Sequence, residues 1–417
     1  MNIQHYRIDG RDEEFLVEAA QKVLQQLQSN PASTVILDHC WEAHQDPVHW
    51  LACLEKFFNV IKARPSTSRL LLVTDNWWQF YAVNLQQFGL DDILYIDYFL
   101  YRAYREIVYF KKYKTNSEWN SGTNKFLFLT GFPNKLNRFR LLWKFYTAGL
   151  LNCCEWSFKL PQSHTVLQQL TRDSVPELSQ HEFDALVNKL QRQADHVSMD
   201  TQNEVVTYIG QDYDVRLYQQ TLFSVVPETF FKTTGPAWLT EKTWKAIINH
   251  HPFIIAGDKQ SLSRLNDMGF DTFEKYLPTP NYNELAGTDL GLDAIVDCSK
   301  HWIDNIQQYQ VEIRNGTQHN YRLLECLYFE NLNKIENFKS IHQLSIAIDE
   351  LVDIKQKSSV LSIEDICKLK NQQNFKIFYN NVKDTSWPDC DSEDEFLRLP
   401  KNIINECVTI HGYKIET

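Results

Sequence analysis

The stretch Ser224–Gly257, SVVPETFFKTTGPAWLTEKTWKAIINHHPFIIAG, is the one from which the rest of the chain is read. The apolar run Phe223 to Val226 predicts a short buried strand, and Pro227-Glu228-Thr229 opens a polar loop containing Gly235 and Pro236. Thr240 is a predicted helix N-cap, with Glu241 and Lys242 in the first turn. A second buried strand, Phe253 to Ala256, follows Pro252. Strand, helix, strand in this order is the repeating unit of a parallel sheet. A lysine in a first turn opposes the helix dipole and calls for an anion nearby. That anion is either a structural partner, Glu228 or Glu241, or the phosphate of a ligand held by the lysine and the helix amides.

Upstream, FLFLTGFPNKLNRFRLLWKFYTAGLL (Phe126 to Leu151) has the same grammar: a buried strand, a loop with Gly131, Pro133 and Asn134, then a helix opening with Arg138 and Arg140. Ligands of open α/β sheets sit at the carboxyl ends of strands, where an arginine can grip a phosphate through two parallel hydrogen bonds. The bland alternative is a pair of arginines serving surface acids. Further strand candidates are Val205 to Ile209 and Ala294 to Val296, and Lys300 to Asp349 reads as mostly helical.

The N-terminal third alternates as well. Glu13 to Gln28 and Trp50 to Val60 predict helices; Thr34 to Leu37 and Leu70 to Val73 predict strands. Asp38 and Asp75 stand just beyond those strands, as candidates for a general base or as turn and cap residues. Trp77 and Trp78 fit a stacking platform for a sugar or a core contact. The aromatic stretch Tyr95 to Phe110 reads as helix core, and Lys111 to Lys125 has linker composition. His39, His44 and His49 recur every five residues, which does not place them on one helix face, and Asp212-Tyr213-Asp214 lies in a polar context, so no metal is expected.

The 417 residues exceed one ordinary core and suggest two domains with an appendage. The expected division is an acceptor-side domain at 1–115, a linker at 116–125, a nucleotide-binding domain at 126–340 and an extension at 341–417, whose run Asp389 to Glu395 is acidic. A net charge of −11 disfavours bulk nucleic-acid binding. Met1 to Gly10 has no signal-like apolar core, and no apolar run reaches the ~20 residues of a membrane span, so a cytoplasmic protein is expected. The 9 cysteines contain no CxxC pair and read as reduced structural thiols.

Glu228, the block Thr240-Glu241-Lys242 and Pro252 together resemble the signature of the alpha-1,3-fucosyltransferase family. A broader group of predicted glycosyltransferases is similar across Thr240 to Lys245, Pro252 to Ile255 and Gly269 to Phe273, and the resemblance covers about 126 to 310. It implies a GT-B arrangement: two Rossmann-like α/β domains facing across a cleft. It further implies Lys242 and Arg138 on a donor diphosphate, Glu241 on the ribose and Glu228 near the donor sugar, with Arg140, Thr240 and Lys245 also in the donor site. Two departures stand: a longer loop between the glutamates, and Thr229 in place of the family's Asn. The donor's base and sugar are therefore not specified.

The expectation is an α/β glycosyltransferase that moves a sugar from a nucleotide-sugar to an unidentified acceptor, without a metal or other cofactor and with inversion. Asp38, Asp75 and Glu228 are its candidate catalytic carboxylates. The rival reading is an inactive fold that senses a nucleotide or binds a protein.

Overall fold

The computed structural model describes residues 3–7, 13–39, 47–75, 85–109, 119, 125–130, 136–158, 179, 181, 184, 215–229, 231, 239–279 and 281–342. The strand candidate Val205–Ile209, the loop 131–134, Trp77, Trp78, His44, Asp212, Asp214 and the tail beyond 342 lie outside them. The chain forms two compact units. One holds the chain up to Tyr101 and again from Phe329; the other holds Arg102–Tyr109 and Tyr113–Tyr328.

The first unit contains β1 (Ile3–Arg7), α1 (Glu13–Ser29), β2 (Thr34–His39), α2 (Pro47–Ile61), β3 (Arg69–Asp75) and β4 (Asp92–Ile96). Its sheet is parallel throughout, in the order β1-β2-β3-β4. Successive right-handed crossovers in one direction put α1 and α2 on the same face, and the two helices pack on each other. Leu16, Ala20, Val23 and Leu27 of α1 are buried at helical spacing, as are Leu54, Phe57, Phe58 and Ile61 of α2. Two strands of this unit escaped the sequence reading. β1 is a polar edge strand, and β4 opens the aromatic stretch that reads as helix; α3 (Tyr98–Tyr104) begins only after it and continues as a π turn, Arg105–Tyr109.

The second unit contains β5 (Phe126–Thr130), α4 (Leu136–Thr147), β6 (Cys154–Phe158), α5 (Val215–Gln219), β7 (Ser224–Pro227), α6 (Glu241–Ile248), β8 (Phe253–Ala256), α7 (Ser261–Asp267), α8 (Asp289–Asn305) and the part of α9 (Gln310–His342) before Phe329, the rest of α9 belonging to the first unit. Its parallel sheet runs β6-β5-β7-β8. From β5 the chain steps outward to β6, then returns to the other side of β5 as β7. This reversal is a topological switch point, the place where open α/β sheets leave a crevice at their carboxyl ends. The fold is thus α/β on parallel sheets, as expected.

Gly149 takes a left-handed conformation (φ 73) two residues past α4, the helix stop its position predicts. The strand expected over Ala294–Val296 is instead the middle of α8. Leu292, Ile295, Val296, Ser299 and Trp302 are buried there at helical spacing, and the Thr288 hydroxyl caps the Gly291 amide at 3.1 Å. Trp119, inside the expected linker, is buried and donates its indole N–H to Leu222 O at 2.6 Å.

The motif Gly269–Phe273 is architectural. Phe273 is fully buried at φ 60, and Asp271 accepts its amide at 2.9 Å. Asn320 of α9 bonds Asp271 N and O, and Gly316 lies so close that a Cβ there would stand 2.8 Å from the Phe273 ring. The outer edge of β8 is closed by Tyr282, whose hydroxyl accepts the Ile255 amide at 2.7 Å.

At the amino end of the same sheet, His251 is buried between two partners. Its Nε2 donates to Thr221 O at 2.9 Å, so its Nδ1 accepts the Ser224 hydroxyl at 2.7 Å. Burial lowers its pKa to about 4, against the raising effect of the Thr221 contact. In the first unit, His342 near the end of α9 plays a comparable part. Arg69 Nη2 donates to its Nδ1, and its Nε2 donates to Asp92 Oδ2 at 2.7 Å, which ties α9 to the amino ends of β3 and β4.

Candidate functional site

The expected cluster assembles at the switch point of the second sheet, and Glu228 is its centre. Glu228 directly follows β7, its amide bonds Ala256 O at 3.0 Å, and it is 1% exposed. Its Oε1 accepts the Thr240 amide at 2.9 Å and the Thr243 hydroxyl at 2.6 Å; its Oε2 accepts the Thr240 hydroxyl at 2.6 Å. Its main-chain carbonyl accepts Arg138 Nη2 at 3.3 Å. A buried carboxylate is tolerable only when its lone pairs are met in this way. Glu228, expected beside the donor sugar, is bonded to the start of α6.

Thr240 is the N-cap of α6 that the sequence predicts. Its hydroxyl gives its proton to Glu228 and turns its lone pairs to Lys242, accepting Lys242 Nζ at 3.0 Å and, more weakly, Lys242 N at 3.5 Å. Lys242 Nζ also donates to Glu241 Oε1 at 2.9 Å. Two of the three N–H bonds of the ammonium are thus directed inward, and the side chain is 21% exposed. Burial pushes the Glu241 carboxyl upward, but the charges of Lys242 and Lys245 and the Lys242 hydrogen bond outweigh it and hold the pKa at about 2. Glu241 is therefore ionised at neutral pH.

Arg138 is buried in the first turns of α4, its guanidinium reaching the carbonyl at the end of β7. Arg140 does not join it. Two residues along a helix is about 200° of rotation, so the two arginines leave opposite faces. Arg140 pairs with Asp289 at the start of α8, while Lys144 pairs with Asp293 at 2.5 Å, binding α4 to α8. An open pocket of about 310 Å³ lies along this seam, lined in part by Arg140, Trp143, Lys144 and Asp293. Arg140 is thus placed in a helix–helix contact.

The other two expected carboxylates belong to the first unit. Asp75 ends β3, is 6% exposed, and its Oδ2 accepts the Tyr98 amide at 3.1 Å, which caps α3. Asp38 is in β2, level with Val73 of β3; its side chain lies outside what the structure describes. The sequence reading missed Thr243, the third donor to Glu228. The signal was present in Thr240-Glu241-Lys242-Thr243: hydroxyls at the N-cap and at the third helical position can address one acceptor.

Among the described residues, Cys153, Cys154, Cys298 and Cys326 are free thiols, no cluster of three or more His, Cys, Asp or Glu could hold a metal ion, and no helix is long and apolar enough to cross a membrane.

No protein-family model matches the chain, and no curated protein matches it. Among solved structures, it is similar to a UDP-forming alpha,alpha-trehalose-phosphate synthase from Burkholderia xenovorans, at 10% identity and a TM-score of 0.34, over 79% of this chain and 80% of that one. A likeness of this degree assigns no activity.

Proposed function

We propose that the protein is a glycosyltransferase that takes a sugar from a nucleotide-sugar donor. The observation that carries this reading is the convergence of Arg138, Lys242 and the start of α6 at the switch point of the second sheet. Lys242 and Lys245 act on Glu241 through their charges, and Arg138 reaches the Glu228 carbonyl, so three cationic side chains gather at this corner. The third N–H of Lys242 and the positive end of the α6 dipole suit a diphosphate. Glu241, ionised and one-fifth exposed, suits ribose hydroxyls.

In the proposed reaction the acceptor hydroxyl attacks the anomeric carbon as the bond from that carbon to the diphosphate oxygen breaks. The bonding pair leaves with the diphosphate, and Lys242, Arg138 and the positive end of the α6 dipole offset the charge that grows there. These cations supply the role a metal plays in other transferases. The acceptor proton passes to a carboxylate, for which Asp38 is the candidate, since Asp75 is engaged at the start of α3. Such a displacement inverts the anomeric centre.

The test is a thermal-shift panel of UDP, GDP, CMP and dTDP and their sugar conjugates, with and without magnesium. A ligand that binds only the native state raises the melting temperature. A metal-independent rise with one nucleotide, lost in Lys242→Ala, is expected. No rise with any of them overturns the reading. It would favour the idle, partner-binding module, which one observation already suits: Glu241 and Thr240 occupy Lys242 from within the fold.

A further inference from the structure

We infer that Glu228 is a positioning residue: it sets the direction of the Thr240 O–H bond, and through it the place of Lys242, without touching a substrate. The inference rests on the donor-binding reading above. Thr240 Oγ1 lies 2.6 Å from Glu228 Oε2 and 3.0 Å from Lys242 Nζ. An ammonium and a backbone N–H only donate, and Lys242 turns both toward Thr240 Oγ1, at 3.0 and 3.5 Å. The single hydroxyl proton therefore points at Glu228, and the lone pairs point at Lys242. The same residue holds Arg138 through its main-chain carbonyl at 3.3 Å. One buried residue at the end of β7 thus spaces both cations. Its carboxylate has no open face for a sugar: it is 1% exposed and meets three protein donors.

Replacing the carboxylate by an amide tests this directly. In Glu228→Gln, Oε1 can still serve the Thr240 amide and the Thr243 hydroxyl. The amide nitrogen then stands where Oε2 was and donates into Thr240 Oγ1. The hydroxyl proton must swing away, and Lys242 loses one of its two acceptors, keeping Glu241. Thr240→Val removes the relay while leaving Glu228 intact, Thr240→Ser keeps it, and Thr243→Val removes a bond to the same carboxylate without touching the relay. Thr243→Val is thus the matched stability control.

The first readout needs no ligand. Trace acylation of lysines in the folded full-length chain is quantified by mass spectrometry, with Lys144, paired to Asp293, as internal reference. Several-fold higher labelling of Lys242 is expected in Glu228→Gln and Thr240→Val, and wild-type labelling in Thr240→Ser and Thr243→Val. Unchanged Lys242 labelling in both Glu228→Gln and Thr240→Val overturns the inference. The second readout titrates whichever of UDP and GDP binds the wild type, together with its sugar conjugate. A positioning residue weakens both ligands by the same factor in Glu228→Gln. A loss confined to the conjugate means that Glu228 touches the sugar, and also overturns the inference. If neither nucleotide binds the wild type, the donor reading fails, and the labelling result still decides the role of Glu228.

Discussion

The Glu228 carboxylate receives both the amide and the hydroxyl of Thr240, at 2.9 and 2.6 Å, across a loop that separates the two residues by 12 positions. This is an N-cap served from outside its own helix. The end of β7 and the start of α6 are thereby one rigid corner. Glu228→Ala leaves the Thr240 amide, the Thr240 hydroxyl and the Thr243 hydroxyl without their acceptor. Each orphaned buried donor costs about 1–3 kcal/mol, so a loss of about 3 kcal/mol or more is expected. The urea midpoint of unfolding measures it; a variant within about 1 kcal/mol of wild type would show that water replaces the carboxylate.

The two arginines of α4 separate by face. Arg138→Ala removes a buried guanidinium bonded to the end of β7. It is expected to lower both stability and nucleotide affinity, and affinity should recover in part with Arg138→Lys, which retains charge. Arg140→Ala breaks a partly exposed pair with Asp289. Such pairs are worth about 0–1 kcal/mol, and nucleotide affinity is expected to stay as in wild type. Equal affinity losses in the two alanine variants would contradict this division.

Lys242 is the cation with an N–H to spare and a fifth of its surface open. Lys242→Ala is expected to weaken nucleotide binding about tenfold or more, the range of one charge-assisted hydrogen bond. Thermal stability should also fall, because Glu241 loses its hydrogen-bonded cation, although Thr240 keeps its bonds to Glu228. Calorimetric titration checks the first statement and a melting curve the second.

Acid acts on the second unit in two steps. His251 has its folded pKa lowered to about 4 from 6.5, so the fold favours the neutral ring. Its contribution is complete above about pH 6.5 and is lost as pH falls toward 4. The full linkage is about 3 kcal/mol by the conversion of one unit to 1.36 kcal/mol. Glu241, lowered to about 2 from 4.5, contributes above pH 4.5 and loses that contribution as pH falls toward 2. Melting temperatures from pH 7.5 to 3 should fall in the upper window for wild type and less steeply for His251→Gln. Parallel curves would place the titrating group elsewhere.

Asp38 and Asp75 separate by stability. Asp75→Asn weakens the cap on the Tyr98 amide, and a loss of about 1 kcal/mol is expected. Asp38→Asn is expected to retain donor binding and lose sugar turnover, read as nucleotide released in the presence of acceptor extracts that support the wild type. Full turnover in Asp38→Asn removes it as the base.

Much of the second unit was legible from periodicity. β5 and β8 coincide with the predicted runs, because strands buried on both faces read as unbroken apolar stretches. The Thr240 cap was legible too, since capping is a local event within one turn. The edge strands β1 and β6 were not legible: IQHYR and CEWSF mix polar and apolar residues in runs too short to show a period. Ala294–Val296 misled for the converse reason, a short apolar run within a longer helical stripe.

The residue types at the site, their order, and the cap with its neighbouring lysine and glutamate follow from the chain alone, because they depend on contacts one or two turns apart. Which arginine meets the end of β7, and that Glu228 is occupied by α6, were decided by tertiary structure. Arg138 and Glu228 are 90 residues apart. Only the reversal of strand order around β5 and β7 brings them to one point, and no local pattern encodes that reversal.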